Sequence, residues 1–197
     1  MTIRRPLIVF VGALAVVMAA CDIGSAQPQT REYPWHRNNV ATTFWVGEIL
    51  DRSSTDGSQE YSTYDANWMA NYGGCDGVVE DGVCRTERRD ASNGFFPTGM
   101  TPRQNPFYLA LPFDDINNPA AFSMRAKVIP WANDPGYRGR ADDPTFSFMK
   151  NRWVELRKGA TTCYGQVEDA GPAVYDDADV PDGPWKRVIT SQPLVLG

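Results

Sequence analysis

Carboxylates are the residues of this chain best suited to chemistry. Glu168 and Asp169 end one alternating stretch, Asp114 and Asp115 follow another, and Asp176, Asp177 and Asp179 form a third group, against a single histidine, His36. A carboxyl acts as a general acid or base when its surroundings bring its pKa toward the working pH. The period of two places Cys163, Gly165, Val167 and Asp169 on one face of a strand, and Tyr164, Gln166 and Glu168 on the other. An acid on the face of a valine and a cysteine must be paired or hydrogen-bonded. Two readings of Asp169 stay open: it accepts backbone amides of the Ala170-Gly171-Pro172 turn, or it is an acid with a pKa raised by burial. The acidic run 176–179 reads as a solvated loop.

The cysteines suggest a staple rather than a metal. Cys75 and Cys84 bracket a glycine-rich acidic loop and are expected to form a disulfide, while Cys163 stays single as a small apolar residue in a strand. The spacing is too wide for a zinc knuckle and the loop does not match an EF-hand, so no metal and no cofactor is expected.

The elements that must position the acids are mainly strands. Fifteen prolines and 17 glycines leave few stretches able to sustain a long helix. Strands are predicted over 40–50, 105–113, 126–131 and 185–191. In the second of these, Phe107, Leu109, Leu111 and Phe113 share one face. A hairpin is predicted from 152–157 and 161–169 around Lys158-Gly159-Ala160. One helix is predicted over 64–72, capped by Ser62 or Thr63, stopped by Gly73 and turning Trp68 to the core. Asn118-Pro119 suits the start of one helical turn.

Ahead of this domain, Arg4 and Arg5 precede an apolar run ending in Met18-Ala19-Ala20-Cys21. Basic, apolar and small residues in that order are the layout of an export signal, and the run is shorter than the roughly 20 residues of a bilayer span. The ending resembles a bacterial lipobox with lipidation at Cys21; the rival cut follows Gly24-Ser25-Ala26. The expected organisation is a signal over 1–20, a tether over 21–31 and a single domain over 32–197. Loss of residues 1–20 takes two arginines and leaves 17 basic against 24 acidic residues, a formal −7. That charge disfavours nucleic acid as a partner.

Five segments carry a family resemblance: ATTFWVGE at 41–48, NPFYLALPFDD at 105–115, KNRWVEL at 150–156, CYGQVEDAGP at 163–172 and VPDGPW at 180–185. In this order they resemble exported bacterial proteins with a double-psi β-barrel, distant relatives of rare lipoprotein A and the expansins. The resemblance implies a mainly β fold, a six-stranded double-psi β-barrel-like domain with one or two short helices and long loops. It implies that Asp169, with Gly171 and Pro172, lines a substrate groove, that Leu111 to Phe113 bring another strand to that groove with Asp114 and Asp115 just beyond this segment as substrate-binding residues, and that a glycan strand such as peptidoglycan is the partner. Trp45, Tyr108 and Tyr164, with Glu168, are the candidate sugar-contacting residues, the aromatics by stacking, with core or rim packing as their alternative role.

Such relatives continue past the acidic region with a Leu-Asp-x-Ser element that supplies another groove acid. Here Asp176-Asp177-Ala178-Asp179 runs almost directly into Val180-Pro181-Asp182, so the barrel is either incomplete or closed differently. Cleaving a glycosidic bond usually takes two carboxyls, although lytic transglycosylases of this superfamily manage with one principal acid. The expectation is an envelope lipoprotein or secreted module that binds cell-wall glycan without catalysis. The alternatives are a lytic transglycosylase-like enzyme using Asp169 and a nonfunctional deletion remnant.

Overall fold

The asparagine-proline pair at 118–119 fixes the longest helix among the described residues. In the computed structural model, Asn118 accepts from the amides of Ala120 and Ala121 at 2.9 and 3.1 Å, and Pro119 opens α2, Pro119–Val128. The structure describes Tyr33, residues 35–37, 39–54, 57–87 and 89–171, and the backbone of 187–190. The expected signal, the tether, Cys21, Pro172 and the acidic run 176–179 lie outside the described residues. Tyr33 begins the compact unit to which all described residues belong.

The chain is mainly strand. Among the described residues β1 is Val40–Thr43, β2 Gly77–Glu80, β3 Val83–Thr86, β4 Tyr108–Leu111, β5 Trp153–Lys158, β6 Thr161–Ala170 and β7 Arg187–Thr190; the helices are α1, Trp68–Tyr72, and α2, with a 3-10 turn at Ala91–Asn93. Five strands form one sheet in the order β1-β7-β4-β6-β5, and β2 and β3 form a separate hairpin. β1 with β7 and β4 with β6 are parallel; β4 with β7 and β5 with β6 are antiparallel. Among the described residues no ladder joins β1 to β5, so no closed barrel is formed.

β4 is central because both of its faces are apolar. Leu109 and Leu111 pack with Phe113, Ala121, Ile129, Trp131, Phe148, Met149 and Val167, while Tyr108 and Ala110 pack with Phe44, Val46, Trp68 and Tyr72. Strands buried on both sides read as continuous apolar runs, and the expected one-sided strand is this case. Gly165 of β6 lets that strand approach β4: a Cβ there would lie 2.7 Å from Leu109 Cγ.

The predicted hairpin forms with a two-residue connection. Gly159 supplies the positive φ, +55°, at its first central position, and Lys158 pairs with Thr161. Cys75 and Cys84 are bonded as expected, across a sequence separation of 9, which stabilises the fold by about 2–3 kcal/mol in the chain-entropy account. Between them lies not a loop but the β2–β3 hairpin, turned by Asp81 and Gly82 at φ 51° and 77°. Cys163 is free and half-buried.

Three predicted elements change. β1 ends at Thr43, and the chain then turns so that Phe44 and Val46 enter the core. The helix over 64–72 shortens to α1, whose N-cap is Asn67; Gly73 ends it in the left-handed region and Trp68 is buried, both as expected. No strand forms over 126–131, because α2 runs on to Val128. The cause is Arg125, fully buried, whose guanidinium donates to the carbonyls of Asp115, Arg140, Ala141, Asp143 and Phe146 and so anchors the helix.

Candidate functional site

The end of β6 does not keep the period of two. Leu109 pairs with Val167, but the next residue of β4, Ala110, pairs with Asp169, leaving Glu168 as an extra residue in β6. This bulge moves Asp169 off the face of Val167 and onto that of Ala110. The expected shared face with Val167 and Cys163 is thereby corrected. Bulges re-aim side chains in this way.

Asp169 is 6 % exposed. Its Oδ1 accepts from the amides of Thr63 and Ala170, both at 2.8 Å, and its Oδ2 accepts from Gln59 Nε2 at 3.0 Å. Burial pushes its carboxyl up to about 7, against these three donors and with Asp114 adding to the rise. Thr63 links the two acids, since its amide donates to Asp169 and its hydroxyl to Asp114 Oδ2 at 3.2 Å. Asp114 Oδ1 accepts from the amides of Ile116 and Asn117. Asn117 Nδ2 returns a bond to Thr63 O at 2.9 Å.

Glu168, equally buried, is also pushed up to about 7 by desolvation, with Lys150 opposing and Asp65 adding to the shift. Lys150 Nζ donates to Tyr64 O at 3.3 Å. The Tyr64 hydroxyl donates to Phe113 O at 3.3 Å, and burial with the charges of Asp115, Asp114 and Asp169 raises its pKa well above the usual tyrosine range. The strap of residues 59–65 is thus tied across the end of β6 by bonds to Asp169, Asp114, Asn117 and Lys150.

The other candidates divide. Asp115 has other hydrogen-bond partners: Ser147 Oγ donates to it at 2.6 Å, the Phe148 amide at 2.5 Å, and Arg125 Nη1 lies 3.9 Å away. Buried and beside a cation, its carboxylate is bonded to residues 147 and 148. Tyr108 is 1 % exposed and donates its hydroxyl to Asp76, so its ring has no face to offer a sugar. Trp45 is half-buried beneath the Arg89 guanidinium, 5.2 Å from its ring centroid. Tyr164 is exposed and lies on β6 well before the acids.

Gln59 and Thr63 were not legible as partners of the acids, because their contacts span more than 100 residues. A cavity of about 310 Å³ lined by Ile49, Asp51, Arg52, Gly57 and Val83 lies apart; none of its lining residues is a partner of Asp169 or Asp114. Among the described residues no group of three or more His, Cys, Asp or Glu could hold a metal ion, and no helix is long and apolar enough to cross a membrane. Comparison with protein-family models, with curated proteins and with solved structures gives no match.

Proposed function

We propose that this chain is an exported, envelope-associated module that binds cell-wall glycan without cleaving it. The observation that carries the reading is that protein donors occupy both oxygens of Asp169 and both oxygens of Asp114. A general acid must present its O–H to the leaving oxygen, but both oxygens of Asp169 already accept from Thr63, Ala170 and Gln59, and both oxygens of Asp114 accept from Thr63, Ile116 and Asn117. These carboxyls hold a strap in place. The two parallel strand pairs and the acid at the end of β6 support the resemblance to a double-psi barrel, which brings peptidoglycan as partner and Cys21 as the lipid attachment point.

Sedimentation of the intact chain with purified peptidoglycan sacculi tests binding: the protein is expected in the pellet, and a protein that stays in the supernatant refutes the proposal. A second reading is favoured by one observation, the rise of Asp169 to about 7 beside Asp114. It is lytic transglycosylation, in which Asp169 protonates the leaving oxygen and then takes the proton of the sugar's own hydroxyl. Anhydro-muropeptides released by the wild type and lost on Asp169→Asn would establish it.

A further inference from the structure

The outer face of the β5–β6 hairpin is the one surface of the described residues where exposed rings recur in register. Trp153 pairs with Gln166, Glu155 with Tyr164 and Arg157 with Thr162, so these six residues share one face, while Val154 and Leu156 turn inward against the core. Trp153 is 62 % and Tyr164 57 % exposed. At the third level Arg157 carries the Trp35 ring, 4.1 Å from its guanidinium carbon, and Trp35 is itself exposed. One aromatic group therefore stands at each of three successive levels, separated by roughly 7 Å, the rise of two residues in a strand.

Resting on the glycan-binding reading above, we infer that this strip, and not the strapped acid group, is the surface on which an extended polysaccharide chain stacks. A pyranose ring has a face of weakly positive C–H groups and a rim of hydroxyls, which matches the negative face of an aromatic ring flanked by polar side chains. Gln166 lies beside Trp153, its amide bonded to Asn105 and Asn151, and Glu155 lies beside Tyr164, so each ring has a polar neighbour at its own level. The charges of the strip cancel internally, since Arg157 donates to Glu155 at 2.6 Å, so the face suits an uncharged sugar backbone. A second copy of the chain is a poorer occupant. The exposed rings amount to on the order of 300 Å², well under the roughly 800 Å² per partner of a stable interface, and polar residues interrupt them.

The test compares the intact wild type with Trp153→Ala/Tyr164→Ala and Trp153→Phe/Tyr164→Phe. Both side chains point to solvent, and circular dichroism checks that each variant stays folded. The probes are insoluble chitin, which has no peptide stems, and peptidoglycan sacculi. The expected result is wild-type retention on both, weakened roughly tenfold or more in the alanine variant and kept in the phenylalanine variant. Val79→Ser, which alters an exposed apolar residue of the separate β2–β3 hairpin, should bind as the wild type does. Undiminished retention of the alanine variant overturns the inference and leaves glycan binding standing. Absence of wild-type retention on both probes overturns both, and retention on sacculi without chitin overturns the inference alone. A wild-type dimer by light scattering that becomes monomeric in the alanine variant assigns the strip to self-association and overturns the inference.

Discussion

Asp76 and Asp169 are both buried aspartates, yet they differ in what surrounds the charge. Asp76, 0 % exposed, accepts from the hydroxyls of Tyr72 and Tyr108 and is ion-paired with Arg89, itself 1 % exposed. Arg89 also donates to Pro106 O at 2.6 Å and to the Tyr72 hydroxyl at 2.8 Å. Asp169 is nearly as buried but is served only by neutral N–H donors, and the nearby charge of Asp114 has the same sign. A cation and two phenols make the first a fixed strut beside the Cys75–Cys84 staple. Their absence from the second leaves a carboxyl drawn toward neutrality, able to change its proton occupancy while holding a strap.

Removing the cation is the most severe way to break this comparison. Arg89→Ala leaves the Asp76 charge buried without its partner and is expected to destabilise the fold by about 3–5 kcal/mol, read as a drop in the urea midpoint. A shift under 1 kcal/mol would mean that the strut is not structural.

The next effect is a pH slope specific to the β6 acids. Burial lifts Glu168 and Asp169 to about 7, whereas unfolded carboxyls titrate near 4. Between about pH 4 and 7 the native state keeps protons that the unfolded chain has released. Stability therefore falls as pH rises through that window, by up to roughly 1.4 kcal/mol per pH unit for each group, and levels off above it. Asp169→Asn, which cannot ionise, should flatten part of this slope in urea midpoints taken from pH 4 to 8. A wild-type midpoint that climbs with pH across that range contradicts the assignment.

The smallest change sharpens the role of the strap. Thr63→Val keeps the amide that Asp169 uses but removes the hydroxyl bond to Asp114. It is expected to cost about 0.5–1.5 kcal/mol and to speed amide exchange in residues 59–65 with little effect near Asp76. Equal loosening at both places would show that the two regions are not independent.

Local chemistry made much of the fold legible. The glycine turn at 159, the Asn118-Pro119 helix start, the αL stop at Gly73 and the Cys75–Cys84 bond each depend on residues close in the chain. What stayed hidden depends on distant partners. Nothing local marks Arg125 as buried, yet its guanidinium bonds five carbonyls at the end of α2, which runs into the predicted strand at 126–131 as far as Val128. The bulge at Glu168 is set by the register of β6 against β4, so simple alternation assigns Asp169 to the wrong face. Asp115 looked equivalent to Asp114 until Arg125 and Ser147 separated them. Trp153 did carry a signal. The alternation of Trp153, Glu155 and Arg157 with Val154 and Leu156 marks an outward face.

The central claim is that the strapped acids brace the site while the protein binds glycan. It is tested most directly by incubating the intact wild type and Asp169→Asn with peptidoglycan sacculi and analysing pellet and supernatant by mass spectrometry. The account predicts both proteins in the pellet and no anhydro-muropeptides in either supernatant. Anhydro products from the wild type that vanish in Asp169→Asn would contradict it and make Asp169 the acid of a lytic enzyme.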